Sequence, residues 1–260
     1  MSKVCQLFSG SSGNSIYIES KNTKILVDAG VSAKRIENAL SGLCNPSDIN
    51  AVIVTHEHSD HTKGLRVFAS RYGIPVFAPE KCLEKMICEN TVSEKVECHT
   101  ARQVQIGNID VSPFRLSHDS VDCFGYSFAL PDGRKVSVCT DTGYVTDQAE
   151  KSILGSDLVF LESNHEVTMV ENGPYPYPLK QRILSDCGHL SNSACAEFAV
   201  RLAQSGTTRF VLSHLSKENN YPEIARQTTL SALNGIDLKE GTDFRLYVSP
   251  AENKERPIVL

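Results

Sequence analysis

No stretch of this 260-residue chain is apolar for long enough to cross a bilayer. No membrane partner is therefore expected. The nine cysteines contain no Cys-x-x-Cys pair and are odd in number, so they read as reduced thiols, mostly core residues such as Cys139. Internal repeats, low-complexity tracts and long charge runs are also missing. Gln6 interrupts the N-terminus too early for a secretory signal, so a cytoplasmic location is expected. Positive charge is in deficit: the net charge of −5 argues against a protein that grips nucleic acid by bulk charge alone. What is present, 40% hydrophobic and 22% charged residues, suits a soluble globular protein and excludes disorder, collagen and a disulfide-dense miniprotein. One domain over residues 1–260 is expected.

Short β-like runs alternate with helical stretches. The composition and turn residues predict strands over 4–8, 15–19, 24–28, 51–55, 76–78, 110–116, 125–130, 135–140, 158–162, 209–213 and 244–248. Helices are expected over 32–43, 64–72, 80–89, 146–154, 192–204 and 222–233, with Ser191 capping the fifth and Gly206 ending it. Leu130-Pro131-Asp132-Gly133-Arg134 reads as a hairpin turn. Hairpins come first and helices are interspersed later, a pattern that suits a sheet-rich α/β sandwich. Residues 165–188, with Gly173-Pro174-Tyr175-Pro176-Tyr177-Pro178 at the centre, read as a long functional loop.

The eight histidines are ordinary in number and unusual in placement. Thr55-His56-Glu57-His58-Ser59-Asp60-His61 packs three of them and an aspartate directly behind the apolar run Ala51-Val52-Ile53-Val54. Chance would produce His-x-His-x-Asp-His in about four of ten thousand such sequences. Imidazole is a favoured ligand of zinc and similar ions, and carboxylate adds a harder donor. On a turn past a strand, His56 and His58 can serve one ion, and Asp60 and His61 a second. His118, Asp141 and His214 each follow a β-like run and complete the donor set. Taken singly, each is as well explained as a turn or surface residue.

This constellation resembles the metallo-β-lactamase superfamily over nearly the whole chain, from Ile25-Leu26-Val27-Asp28-Ala29-Gly30 to Leu212-Ser213-His214. The resemblance implies a four-layer αββα sandwich, of α/β (α+β) class, with a dinuclear site on one edge. His56, His58 and His118 would hold one ion, Asp60, His61 and His214 the other, and Asp141 would bridge them. Asp28 would orient the loop and a ligand rather than bind metal. Zn²⁺ is expected first, with Mn²⁺ or iron also fitting the donors. The large β-CASP insertion of some nucleases in the superfamily has no counterpart between Asp141 and His214, and neither does the basic tRNA-gripping arm of tRNase Z.

Two further motifs resemble the tRNase Z-type nucleases. Gly188-His189-Leu190-Ser191-Asn192 opens a helix and is similar to their Gly-His-Ser-Thr element, while Glu162 matches the glutamate of their His-Glu-Ala-Thr element. A glutamate that orients His189 makes a general acid for the leaving oxygen, and Asp60 would hold or accept the water proton. With the Ser9–Ser15 turn, the 162–165 run and the Pro-Tyr-Pro-Tyr-Pro stretch, these motifs resemble a subgroup of cytosolic 5′-to-3′ DNA exonucleases. The expected substrate is therefore nucleic acid, DNA before RNA. Asn14, Asn164, His165, Ser191 and Asn192 are expected at the substrate, Tyr175 and Tyr177 to stack on bases, and Lys180 and Arg182 to meet the phosphate backbone. Two alternatives remain. A glyoxalase II-like thioesterase or lactonase could use the same metal ligands, and a non-catalytic module could keep the fold.

Overall fold

Runs rich in Val, Ile, Leu and Phe become strands, and turn residues end them. The computed structural model describes residues 2–260. Its first sheet holds β1 (Ser2–Phe8), β2 (Ser15–Ser20), β3 (Thr23–Val27), β4 (Ala51–Ile53), β5 (Val76–Ala78) and β6 (Cys98–Thr100). The second holds β7 (Val104–Ile106), β8 (Ile109–Arg115), β9 (Phe124–Ala129), β10 (Lys135–Cys139), β11 (Leu158–Glu162), β12 (Arg209–Ser213) and β13 (Arg245–Val248). A last strand, β14 (Ile258–Val259), returns to the first sheet beside β1. The orders are β14-β1-β2-β3-β4-β5-β6 and β13-β12-β11-β10-β9-β8-β7.

Each sheet changes character halfway. β14 to β3 and β7 to β10 are antiparallel, whereas β3 to β6 and β10 to β13 are parallel. The antiparallel halves can be joined by tight turns. One is the Pro131-Asp132-Gly133 turn, where Gly133 takes φ 84° and the Leu130 N–H donates to the Arg134 carbonyl at 2.8 Å. The parallel halves need crossovers, which the helices supply. These are α1 (Ala33–Leu40), the single turn α2 (Ser59–Thr62), α3 (Leu65–Tyr72), α4 (Glu80–Cys88), α5 (Asp147–Ile153), α6 (Val167–Asn172), α7 (Tyr177–Leu184), α8 (Asn192–Gln204) and α9 (Pro222–Asn234).

Side chains alternate across a strand, so a strand buried on both faces feeds two cores. In β11, Leu158 and Phe160 point between the sheets, where they meet Ile25, Ile53, Tyr126 and Phe128. Val159 and Leu161 face the other way, against Phe198, Leu202 and Leu233 of α8 and α9. On the far side of the first sheet, Ile36, Leu65 and Phe68 of α1 and α3 cover Leu26 and Val52. The result is the expected four-layer αββα sandwich. Each fully buried large apolar side chain contributes roughly 1.5–3 kcal/mol.

Three expectations need correction. The long loop over 165–188 contains α6 and α7. Its prolines do not break helix here: Pro178 lies in the first turn of α7, where a missing N–H costs nothing and the fixed φ suits a helix start. β6, β7 and β14 were not expected, because each is two or three residues long and none holds three apolar residues in a row as β5 does. The helix expected over 32–43 ends at Leu40, and the Ser41 N–H closes the turn on the Asn38 carbonyl. Among the described residues, no helix is long and apolar enough to cross a membrane.

Candidate metal and catalytic site

The parallel strands of both sheets end at one edge of the sandwich, and the site is built there. Asp28 directly follows β3, the turn after β4 carries His56 to His61, and β10, β11 and β12 deliver Asp141, Glu162 and His214. His118 comes from the loop after β8. Asp28, Asp141 and His214 take φ of 64°, 65° and 58°, so the chain turns left-handed as each strand ends. Such a backbone is uncommon outside glycine, though aspartate and histidine tolerate it better than most residues.

The structure brings the expected donors together. His56, His58 and His118 each place a ligand atom within 4.8 Å of the others, and so do Asp60, His61 and His214. Their rings lie 4.6–5.1 Å apart in the first group. Asp141 clusters with His56 of the first group and His61 of the second, with Oδ2 3.4 Å from His61 Nε2 and Oδ1 3.3 Å from His214 Nε2. Asp60 Oδ2 lies 3.5 Å from His61 Nε2 and 3.7 Å from His214 Nε2.

These groups suit a cation. Asp141 Oδ2 and His214 Nε2 are buried without a hydrogen-bond partner. Leaving such an atom unsatisfied costs about 1–3 kcal/mol, a penalty that coordination would relieve. Burial, reinforced by the neighbouring rings of His61, His118 and His58, pushes the His56 pKa well down, which keeps it in the neutral, ligand-competent form. At His61 burial also disfavours charge, but the carboxylates of Asp141, Asp28 and Asp60 outweigh it and raise the pKa. The excess of carboxylate over fixed positive charge is what a divalent ion would balance.

A second ring of contacts holds these side chains in place. Asp28 Oδ2 lies 2.8 Å from His61 Nδ1, and Asp28 also accepts the Thr55 N–H and hydroxyl at 2.8 and 2.9 Å. His118 Nδ1 lies 3.1 Å from the Gly188 carbonyl. Glu162 is fully buried, and its carboxylate meets four donors. Oε1 lies 2.8 Å from His189 Nδ1 and 2.9 Å from His214 Nδ1, and Oε2 accepts the Thr142 and Leu190 N–H groups at 2.8 and 3.2 Å. Burial works against the His189 charge, but Glu162 overrides it and raises that pKa. His189 keeps 22% of its side chain exposed, so it can reach a bound molecule.

Four residues expected at the substrate are buried in the structure. Asn14 is buried, with its amide 3.0 Å from His61 Nε2 and 3.4 Å from Asp60 Oδ2. Asn164 is buried and donates to the His214 carbonyl at 2.8 Å. Asn192 is fully buried and bonded to Ser163 and Asn220. His165 is 1% exposed with both ring nitrogens unpartnered, and burial pushes its pKa down to about 4. Asn14, Asn164 and Asn192 are held by partners in distant segments of the chain, whereas the His165 ring has none. Ser191 caps α8, accepting the Ala194 N–H.

On α7, Tyr177 is 70% exposed and Arg182 pairs with Asp119, next to His118. Tyr175 is half-buried, and Lys180 Nζ donates to the Glu171 carbonyl at 2.8 Å. Thr55 and Ser9 are further supports that were not expected; the Ser9 hydroxyl accepts the His214 N–H at 2.8 Å. Only the position of Thr55, directly before the first histidine, could have signalled it.

A family model described as "Beta-lactamase superfamily domain" matches residues 23–215. The Exodeoxyribonuclease WalJ of Streptococcus pneumoniae is 41% identical over 253 residues, covering 94% of this chain and 93% of that protein. The Exodeoxyribonuclease YycJ of Bacillus anthracis is 38% identical, covering 93% and 92%. The WalJ (YycJ) type is the exonuclease subgroup that the sequence motifs resemble. The metallo-beta-lactamase fold protein YhfI of Bacillus subtilis superposes with a TM-score of 0.72 at 17% identity, covering 97% of this chain and 98% of its own. That likeness is one of fold.

Proposed function

Because the chain belongs to the beta-lactamase superfamily, and within it to the family of the WalJ and YycJ exodeoxyribonucleases, we propose that it is a metal-dependent phosphodiesterase that degrades DNA from the 5′ end. The observation that carries the chemistry is the 2.8 Å contact between Glu162 and His189 beside the His/Asp groups. It adds a proton donor to a hydrolytic site. A thiolate leaves without a proton, so a thioesterase has no use for such a pair.

His56, His58 and His118 would hold one divalent ion and Asp60, His61 and His214 another, with Asp141 shared. Zn²⁺ suits the donors, and Mn²⁺ or iron would also fit. When bound, the ions supply water acidified toward neutral pH and positive charge opposite the phosphoryl oxygens. Asp60, with 23% of its side chain exposed, accepts the proton of the attacking water. The water oxygen attacks phosphorus in line, and the phosphorus–oxygen bond to the leaving group breaks. His189, held through Nδ1 by Glu162, delivers a proton from Nε2 to the leaving oxygen. A reducing, cytoplasmic compartment suits nine free thiols.

His189→Ala should lose about 10²- to 10⁴-fold of DNA hydrolysis while metal content stays at the wild-type level. The loss should shrink on bis-p-nitrophenyl phosphate, whose leaving group needs less protonation. Unchanged turnover on DNA would sink the assignment. Substrate and polarity are read from end-labelled DNA and RNA with different 5′ ends, supplied with Zn²⁺ or Mn²⁺. Failure to degrade any nucleic acid would point to a small-molecule ester instead.

A further inference from the structure

Glu57 sits between two expected ligands, His56 and His58, yet its carboxylate goes to three donors outside the site. Oε2 accepts from Cys82 Sγ at 3.1 Å. Oε1 accepts from Lys85 Nζ at 3.2 Å and from the Val121 N–H at 3.1 Å. Glu57 is 7% exposed, so its carboxylate lies below the surface, and the Lys85 ammonium and the Val121 N–H reach it from the solvent side. Cys82 and Lys85 are one turn apart on α4. Val121 lies three residues beyond His118, and the carbonyl of its neighbour Asp122 stands 2.7 Å from Cys82 Sγ. One buried carboxylate thus ties the turn that carries His56 and His58 to the loop that carries His118, using α4 as a brace. The Asp60–His61–His214 half has other supports: Asp28, Asn14 and Asn164.

We propose that Glu57 is a positioning residue for the His56–His58–His118 half of the site, setting the distance between the two loops that supply its ligands. A carboxylate accepts at both oxygens and can hold thiol, ammonium and amide donors together. An apolar side chain would leave the Val121 N–H without this partner, and the loops would drift apart. The inference rests on the two-metal reading above, and its test separates the two.

The test is Zn²⁺ titration against a competing chelator on two backgrounds. His214→Ala leaves His56, His58 and His118 intact, whereas His118→Ala leaves Asp60, His61 and His214. Glu57→Ala should weaken Zn²⁺ binding about 10- to 100-fold on the first background and stay within about twofold on the second. Glu57→Gln keeps an acceptor for the Val121 N–H and nearly the same volume. It should fold if Glu57→Ala does not, and show a smaller, several-fold loss on the His214→Ala background only. Equal weakening on both backgrounds, or none on either, overturns the proposal. A wild-type chain that takes up no Zn²⁺ defeats the two-metal reading instead. A wild type that takes up two ions, with Glu57 variants that show no preference between halves, defeats this inference alone.

Discussion

At Asp141 and His214 a donor side chain and a left-handed backbone coincide. The turn aims each side chain back across the strand ends, and an L-residue gives up about 1–2 kcal/mol to adopt it. In chelator-treated protein, His214→Gly should therefore be more stable than His214→Ala by about 1 kcal/mol, as read by urea unfolding. Equal midpoints would mean that the turn stores no strain. Gly30 makes the complementary case, since a Cβ there would stand 1.7 Å from the Asp60 carbonyl and 2.5 Å from the Asn14 nitrogen. Gly30→Ala should destabilise by about 3 kcal/mol and weaken metal binding, because the obstructed backbone is that of Asp60, a proposed ligand. The candidate metal donors were legible in the sequence because four of them share one turn. Glu57, Asn14 and Asn164 were not, since burial of a polar side chain is decided by partners far away in the chain.

Among the elements, the central strands were legible from their unbroken apolar runs, and β5, β11 and β12 start and stop where the sequence predicts. The helices α6 and α7 were hidden, because Gly-Pro-Tyr-Pro-Tyr-Pro reads as a breaker when seen without its context. β14 was hidden as well, since its pairing with β1 spans almost the whole chain. The pairing of Arg182 with Asp119 holds α7 beside His118. An exposed ion pair of this kind adds only about 0–1 kcal/mol, so its value is in placement. If the strand of substrate runs over this helix, Tyr177→Ala should raise KM for DNA about tenfold or more and leave kcat within about twofold. Turnover of bis-p-nitrophenyl phosphate should not change. Identical KM values would remove α7 from the substrate path.

For the molecule as a whole, the important fact is that neither sheet owns the site. The first sheet contributes His56, His58, Asp60 and His61, and the second contributes His118, Asp141 and His214. Ions held between them would join the two halves of the sandwich. A ligand that binds only the folded state, present at a hundred times its Kd, adds about 2.7 kcal/mol. For a chain of this size that corresponds to about 5–10 °C in Tm. Chelation followed by thermal unfolding should show a drop of that size, and restoring Zn²⁺ should reverse it. An unchanged Tm would mean that the sheets hold together without the ions. The consequence reaches into the cell, where proteases remove chains according to how often they open. With a site that spans both sheets, metal scarcity would reduce the amount of the protein as well as its activity, so its abundance would track the supply of the ion.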